Sequence, residues 1–167
     1  PMAAHLIDAG HELFVNRVKP VSEFLVEKGA TACDTPKAVA EAAEIIITIV
    51  PDTPDVDAVL FGDNGVADGL SEGKMVIDMS SISPVETKSF AEKIAAKGCG
   101  YLDAPVSGGE VGAKNAALTI MVGGSDADFE RGRPLFEAMG KTITHVGPVG
   151  DGQTAKVANQ IIVGLTI

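Results

Sequence analysis

The chain is poor in cysteine, in long apolar runs and in positive charge, and each shortage removes a class of function. Its two cysteines, Cys33 and Cys99, stand far apart with no CxxC pair and no metal-ligand spacing. That excludes a disulfide scaffold, gives no metal site, and reads as two reduced thiols in a cytoplasmic protein. The longest strongly apolar run, IIITIV at 45–50, falls far short of the roughly 20 residues needed to cross a bilayer. No signal-peptide pattern is visible. Thirteen Lys and Arg face 23 Asp and Glu, a net charge of −10 with a pI near 4.6. Such a balance argues against binding a nucleic-acid backbone and leaves room for a local pocket that holds a small anion. There is no internal repeat and no low-complexity linker.

What is present is enough for one globular core. The 167 residues are 46% hydrophobic and 22% charged, the balance of a folded domain. Helix and strand patterns alternate along the chain. PMAAHLIDAG is a helix stopped by Gly10, ELFVN (12–16) a strand, and PVSEFLVEKG (20–29) a helix with Pro20 near its first turn. TPKAVAEAA (35–43) is a helix capped by Thr35. IIITIV, bounded by Pro51, suits a strand covered on both faces. TPDVDAVLF (53–61) returns to helix, DNG (63–65) turns, and KMVIDMS (74–80) is a strand. SPVETKSFAEKIAAKG (83–98) is a helix with Ser83 as cap and Pro84 in its first turn. YLDAPV (101–106) is a strand leading to a glycine loop and ALTIMVGG (117–124) another strand. SDADFERGRPLFEAMG (125–140) is a helix with a kink expected at Pro134, and KTITHVG (141–147) a strand. A last helix starts in GDGQTAKVANQ (150–160). The alternation predicts an α/β fold with a doubly wound, mainly parallel sheet.

Four strand ends and one helix carry candidate chemistry. NRVKP (16–20) ends the first visible strand; in a doubly wound nucleotide-binding sheet an acidic residue there holds a ribose 2′-OH and an arginine accommodates a 2′-phosphate. Asn16, Arg17 and Lys19 therefore favour NADP over NAD, unless this is a solvated basic turn. Val50 and Pro51 open a loop at the end of a buried strand, where ligand crevices form; a rigid strand exit is the alternative. Ser80 and Ser81 offer hydroxyls at the same edge or simply precede the next helix. In DAPVSGGEVGA (103–113), Ser107, Gly108 and Gly109 can seat a small carboxylate on bare backbone amides, or form a flexible turn.

The last helix holds the sharpest signal. Gly152, Lys156, Asn159, Gln160 and Val163 share one helical face, while Ala155, Ala158, Ile161, Ile162 and Leu165 cover much of the rest. A helix apolar nearly all round is expected to be buried, and burial lowers the pKa of its one lysine toward that of a working general acid. The alternative is a lysine whose head reaches solvent.

Together PMAAHL, IITIVP, DAPVSGG and a GxGxxxKxxN pattern met by Gly150, Gly152, Lys156 and Asn159 resemble the β-hydroxyacid dehydrogenase family over essentially the whole chain. Within it, VPDTPDV, DAPVSGGEVGAK and GDGQTAKVANQIIVGL look closest to members that interconvert tartronate semialdehyde and D-glycerate with a nicotinamide cofactor. The resemblance implies Lys156 as general acid and Ser107, Gly108 and Gly109 at the substrate carboxylate, with Asn159 and Gln160 orienting substrate. It implies Asn16 and Arg17 at the adenosine ribose, Val50 and Pro51 along the dinucleotide, and Ser81 near the nicotinamide, the cofactor being NADP or NAD. The lysine separates the chain from the imine-reducing relatives. 3-Hydroxyisobutyrate or another β-hydroxyacid is the alternative substrate, and a non-catalytic dinucleotide-binding module the alternative of another class.

Relative to the family, the first strand and its GxGxxG loop are missing before Pro1, and an all-helical domain, which also makes the homo-oligomer, is missing after Ile167. The expected organisation is a partial dinucleotide-binding domain over 1–149 and the start of a long interdomain helix over 150–167. An isolated piece of this kind is expected to be inactive and to seek partners through its open sheet edge and apolar helix.

Overall fold

The computed structural model describes residues 1–17 and 23–166; Lys19 and Pro20 of the basic turn lie outside the described residues. The elements in chain order are α1 (Met2–Asp8), β1 (Phe14–Val15), α2 (Glu23–Glu27), β2 (Thr31–Ala32), α3 (Pro36–Ala42), β3 (Ile45–Thr48), α4 (Thr53–Phe61), α5 (Val66–Gly69), β4 (Met75–Asp78), α6 (Pro84–Ala95), β5 (Gly100–Asp103), β6 (Val106–Ser107), α7 (Gly109–Lys114), β7 (Leu118–Gly123), α8 (Asp126–Met139), β8 (Gly140–Gly147) and α9 (Asp151–Thr166). Side-chain caps fix several helix starts. Thr35 Oγ1 accepts from Ala38 N at 3.1 Å, and Asp52 and Asp55 form a reciprocal capping box at the head of α4, each satisfying amides that a first turn leaves unpaired.

Six strands form one sheet in the order β3-β4-β5-β7-β6, with β8 beside β7. Strands β3, β4 and β5 run parallel, as do β7 and β8, while β5 and β6 meet β7 antiparallel. The side-chain period of two sorts β4 and β5 onto opposite faces. Met75, Ile77 and Leu102 pack with Phe129, Leu135 and Phe136 of α8; Val76 and Tyr101 pack with Val56, Leu60, Phe90 and Ile94 of α4 and α6. Helices therefore cover both faces, the Rossmann-like arrangement expected from the alternation. Each fully buried Leu, Ile or Phe contributes roughly 1.5–3 kcal/mol of transfer free energy.

Three expectations change. Strand β3 is buried at Ile46 and Thr48 but only half-buried at Ile45 and Ile47, which line an open cavity. The β1–β2 pair forms its own two-stranded parallel sheet, and a cavity of about 710 Å³ lies between that pair and β3. Helix α9 is buried only along its first turns. Gly152, Gln153 and Lys156 are inside, whereas Val157, Ile161, Ile162 and Leu165 are 45–82% exposed.

The register aligns polar residues where the parallel strands end. Thr48 pairs with Asp78, Asp78 with Asp103, and Asp103 with Gly123. Helix α9 begins directly against this row. A Cβ on Gly152 would stand 2.5 Å from Met121 O and 2.7 Å from Asp103 O, so both motif glycines have structural work. Gly152 permits the contact, and Gly150 adopts φ +93° in the turn before it. Gly152→Ala is expected to lose about 1–3 kcal/mol or more through overpacking against backbone, whereas Gly164→Ala, with open space around it, should hold or raise stability. Thermal unfolding of the two variants checks this; an unchanged Tm for Gly152→Ala would contradict the packing.

Candidate active site

The first turn of α9 is clamped by one carboxylate. Asp103 Oδ1 accepts from Gly150 N at 2.7 Å and Asp103 Oδ2 from Gln153 N at 2.8 Å. An acidic group satisfying orphan amides at a helix start is favoured by both hydrogen bonding and the helix dipole. Gln153, fully buried, then extends the connection. Its Oε1 accepts from Ile82 N at 3.0 Å and its Nε2 donates to Ser80 O at 2.8 Å. Ser80 Oγ accepts from Val50 N at 3.0 Å. Ser80 N and Thr48 Oγ1 donate to Asp78 Oδ1 at 3.1 and 2.9 Å. One polar network thus joins the ends of β3, β4 and β5 to α9.

Burial pushes the Asp78 and Asp103 carboxyls up from their ordinary value, against hydrogen bonds from Ser80 and Thr48 at Asp78 and from Gly150 and Gln153 at Asp103 that pull them down. Asp78 Oδ2, Thr87 Oγ1 and Tyr101 Oη are buried together and make no hydrogen bond of good geometry among the described residues, though Tyr101 interacts with both Thr87 and Asp78. Burial, and then the charge on Asp78, raises the Tyr101 phenol well above its usual range.

Lys156 lies one turn beyond Gln153 and is 8% exposed. Its Nζ donates to Gln160 Oε1 at 2.9 Å, and Asn159 Nδ2 reaches the same oxygen at 3.4 Å. So Gln160 is the amide that touches the lysine. Burial pushes the ammonium down from its ordinary value, and no carboxylate forms an ion pair with it among the described residues. Ser107 pairs with Thr119 of β7, the strand whose other end packs under α9. Gly108 and Gly109, at φ +131° and +59°, open α7 and are solvent-exposed.

The cofactor candidates fall in two groups. Asn16, Arg17 and Val50 line the cavity between the β1–β2 pair and β3. Asn16 is held there, its Nδ2 donating to Cys33 O at 2.9 Å, and Arg17 is exposed. Pro51 and Ser81 are exposed at the ends of the neighbouring strands. Most of the cavity wall is apolar, including Met2, Leu6, Ile45, Ile47 and Leu135. Asn16 and Arg17 follow the carboxyl end of β1, and Val50 and Pro51 follow that of β3, the ligand edge of a doubly wound sheet. These residues fit the adenosine end of a nicotinamide dinucleotide.

Sequence patterning missed Asp78, Asp103 and Gln153. The two aspartates each close a buried apolar strand, a placement that a solvated loop residue does not need. Gln153 sits among small and apolar neighbours one position off the lysine face.

Residues 1–147 match the NAD binding domain of 6-phosphogluconate dehydrogenase. The chain belongs to that family. Within reach of the family, it is 56% identical to the 2-hydroxy-3-oxopropionate reductase of Escherichia coli K12, over 100% of this chain and 57% of that protein. It is 42% identical to the mitochondrial 3-hydroxyisobutyrate dehydrogenase of Drosophila melanogaster, over 99% of this chain and 51% of that protein. The chain therefore spans about half the length of these relatives. The crystal structure of 3-hydroxyisobutyrate dehydrogenase from Salmonella typhimurium superposes with a TM-score of 0.92 at 29% identity, over 99% of this chain and 58% of that one. An imine reductase variant from Myxococcus stipitatus in complex with NAD+ shares the family fold at a TM-score of 0.89 and 25% identity, over 99% of this chain and 57% of that one. The enzyme from the same organism in complex with NADP+ does so at 0.84 and 25%, over 98% and 56%.

The two aspartates are expected to differ in response to amidation. Asp103→Asn leaves an NH2 facing a backbone N–H and should cost about 1–3 kcal/mol. Asp78 has one oxygen without a hydrogen bond of good geometry and a raised pKa, so its folded form holds its proton more tightly than the unfolded chain does. Its contribution to stability is present at low pH and is lost as pH rises through the raised value. Asp78→Asn should accordingly be at least as stable as the parent at neutral pH, with the difference closing below about pH 4. Thermal unfolding across that range tests this, and a neutral-pH loss for Asp78→Asn as large as that for Asp103→Asn would contradict it.

Proposed function

We propose that this chain is the cofactor-binding part of an NAD(P)H-dependent β-hydroxyacid dehydrogenase that reduces tartronate semialdehyde (2-hydroxy-3-oxopropanoate) to D-glycerate. The observation that carries the reading is Lys156: a lysine 8% exposed on the helix that starts at the strand ends, its ammonium held by a neutral amide and, among the described residues, by no carboxylate. A buried charge without a counter-ion is costly, and an anionic substrate supplies the compensation. The 56% identity to a 2-hydroxy-3-oxopropionate reductase supports the substrate, and the 3-hydroxyisobutyrate dehydrogenases among the relatives support 3-hydroxyisobutyrate as the second reading.

When bound, the nicotinamide supplies a hydride to the aldehyde carbon. Lys156 Nζ gives a proton to the carbonyl oxygen as that oxygen gains charge, which turns the aldehyde into an alcohol and leaves the amine neutral. Ser107 and the backbone of Gly108 and Gly109 hold the substrate carboxylate. Asn159 and Gln160 orient the substrate, Gln160 by holding the lysine head. Asn16 and Arg17 hold the adenosine ribose, Arg17 favouring a 2′-phosphate and so NADP; Val50 and Pro51 line the dinucleotide, and Ser81 stands near the nicotinamide. We place the protein in the cytoplasm, among the described residues of which no helix is long and apolar enough to cross a membrane. We assign a homo-oligomer to the full-length protein.

Assays of the full-length protein that carries this chain test the reading, with NADPH and NADH oxidation followed in the presence of tartronate semialdehyde or with 3-hydroxyisobutyrate in the reverse direction. Lys156→Ala should lower kcat by at least about 100-fold with cofactor Kd little changed; an unchanged kcat would sink the role. Reduction should fall as pH rises through the lowered lysine pKa, so its alkaline limb should lie below the roughly 10.4 of an ordinary lysine. A limb at the ordinary value would show an ammonium that is not desolvated.

A further inference from the structure

Lys156 and the loop carrying Ser81 belong to different parts of the fold, yet a reduction needs proton donor and nicotinamide at a fixed separation. One side chain spans them. Gln153, three residues before Lys156 on α9, grips the loop between β4 and α6 on both sides of Ser81. Its Nε2 donates to the carbonyl of Ser80 and its Oε1 accepts from the amide of Ile82. Its own backbone amide is tied to Asp103 Oδ2, and Ser80 Oγ accepts from the amide of Val50. The loops of Val50 and Ser81 and the helix of Lys156 are thus linked through two buried residues, Ser80 at 2% exposure and Gln153 at 0%. A side-chain amide donates from one atom and accepts at another at the same time, and the site uses both groups.

We infer that Gln153 is a positioning residue of the reaction, setting the distance between the Ser81 loop and Lys156. The inference rests on the reductase reading above. Gln153 touches neither substrate nor cofactor in this role; it acts through the backbone of Ser80 and Ile82 and through the helix that bears the lysine. Core packing alone would not require an amide at this position, since an apolar side chain of similar volume fills space as well. The hydrogen bonds to two peptide groups that flank a single residue are what specify the geometry. Misplacement of reacting groups by about an ångström costs on the order of 100-fold in rate.

The test uses the full-length protein with Gln153→Leu, which removes both bonds, and Gln153→Glu, which keeps the shape and donates to Ser80 O only while its carboxyl is neutral. For folded Gln153→Leu we expect kcat lower by about 10- to 100-fold, KM and cofactor Kd within a few-fold of the parent, and a larger primary isotope effect with deuterated cofactor as hydride transfer becomes limiting. For Gln153→Glu the ratio of variant to parent kcat should rise as pH falls from about 8 to about 6, because protonation restores the donor. Should Gln153→Leu fail to fold, that ratio decides alone. Variants that fold and turn over at the parental rate, whatever their Tm, overturn the inference, as does a Gln153→Glu ratio flat with pH. A parent protein that binds nicotinamide cofactor but oxidises or reduces none of these acids overturns the reductase reading and this inference with it; an active parent with unaffected variants overturns this inference alone.

Discussion

Asp103 ends a buried strand with both carboxylate oxygens turned toward the first turn of α9, each accepting a backbone amide. The rest of the site depends on this contact. A helix start leaves amides unpaired, and the interior offers no water to satisfy them. A carboxylate at the strand end removes that deficit, and in doing so fixes where α9 begins relative to the sheet. The close approach is possible because Gly152 presents no Cβ to Met121 O and Asp103 O. The motif glycines and the strand aspartate are two halves of one joint, and Lys156 is placed by it.

From that joint the network spreads by hydrogen bonds that leave few donors unused. Gln153 carries it to Ser80 and Ile82, Ser80 to Val50, and Asp78 to Thr48. Buried polar networks of this kind are favourable only when nearly complete. Here the deficit gathers at Asp78 Oδ2, Tyr101 Oη and Thr87 Oγ1. It lies on side chains that the proposed chemistry does not touch. Burial raises the Asp78 carboxyl from its ordinary value against the hydrogen bonds from Ser80 and Thr48.

Two places among the described residues leave apolar side chains uncovered. Strand β3 has Ile45 and Ile47 half-buried beside an apolar cavity, and α9 leaves Ile161 and Leu165 exposed beyond its clamped start. Apolar surface of this extent is the kind that takes a partner segment.

The alternation of strands and helices, the helix caps and the helical face shared by Lys156, Asn159 and Gln160 were legible in the sequence, since each depends on residues close together in the chain. The short strands β2 and β6 were not, because two residues paired to a distant strand leave no periodic pattern. The buried reading of α9 held for its first turns and failed beyond Lys156, where periodicity gave an apolar helix but could not say what lies against it. Asp78, Asp103 and Gln153 escaped for a related reason. Their meaning comes from partners 30 to 73 positions away, and a lone aspartate or glutamine carries no local mark of such a bond. The sequence by itself determined which segments form strands and helices and that one helix bears a single lysine. Only the tertiary structure decided that an aspartate at one strand end and a glutamine beside the lysine hold the site together, because register across parallel strands, and not spacing along the chain, brings those groups within hydrogen-bond reach.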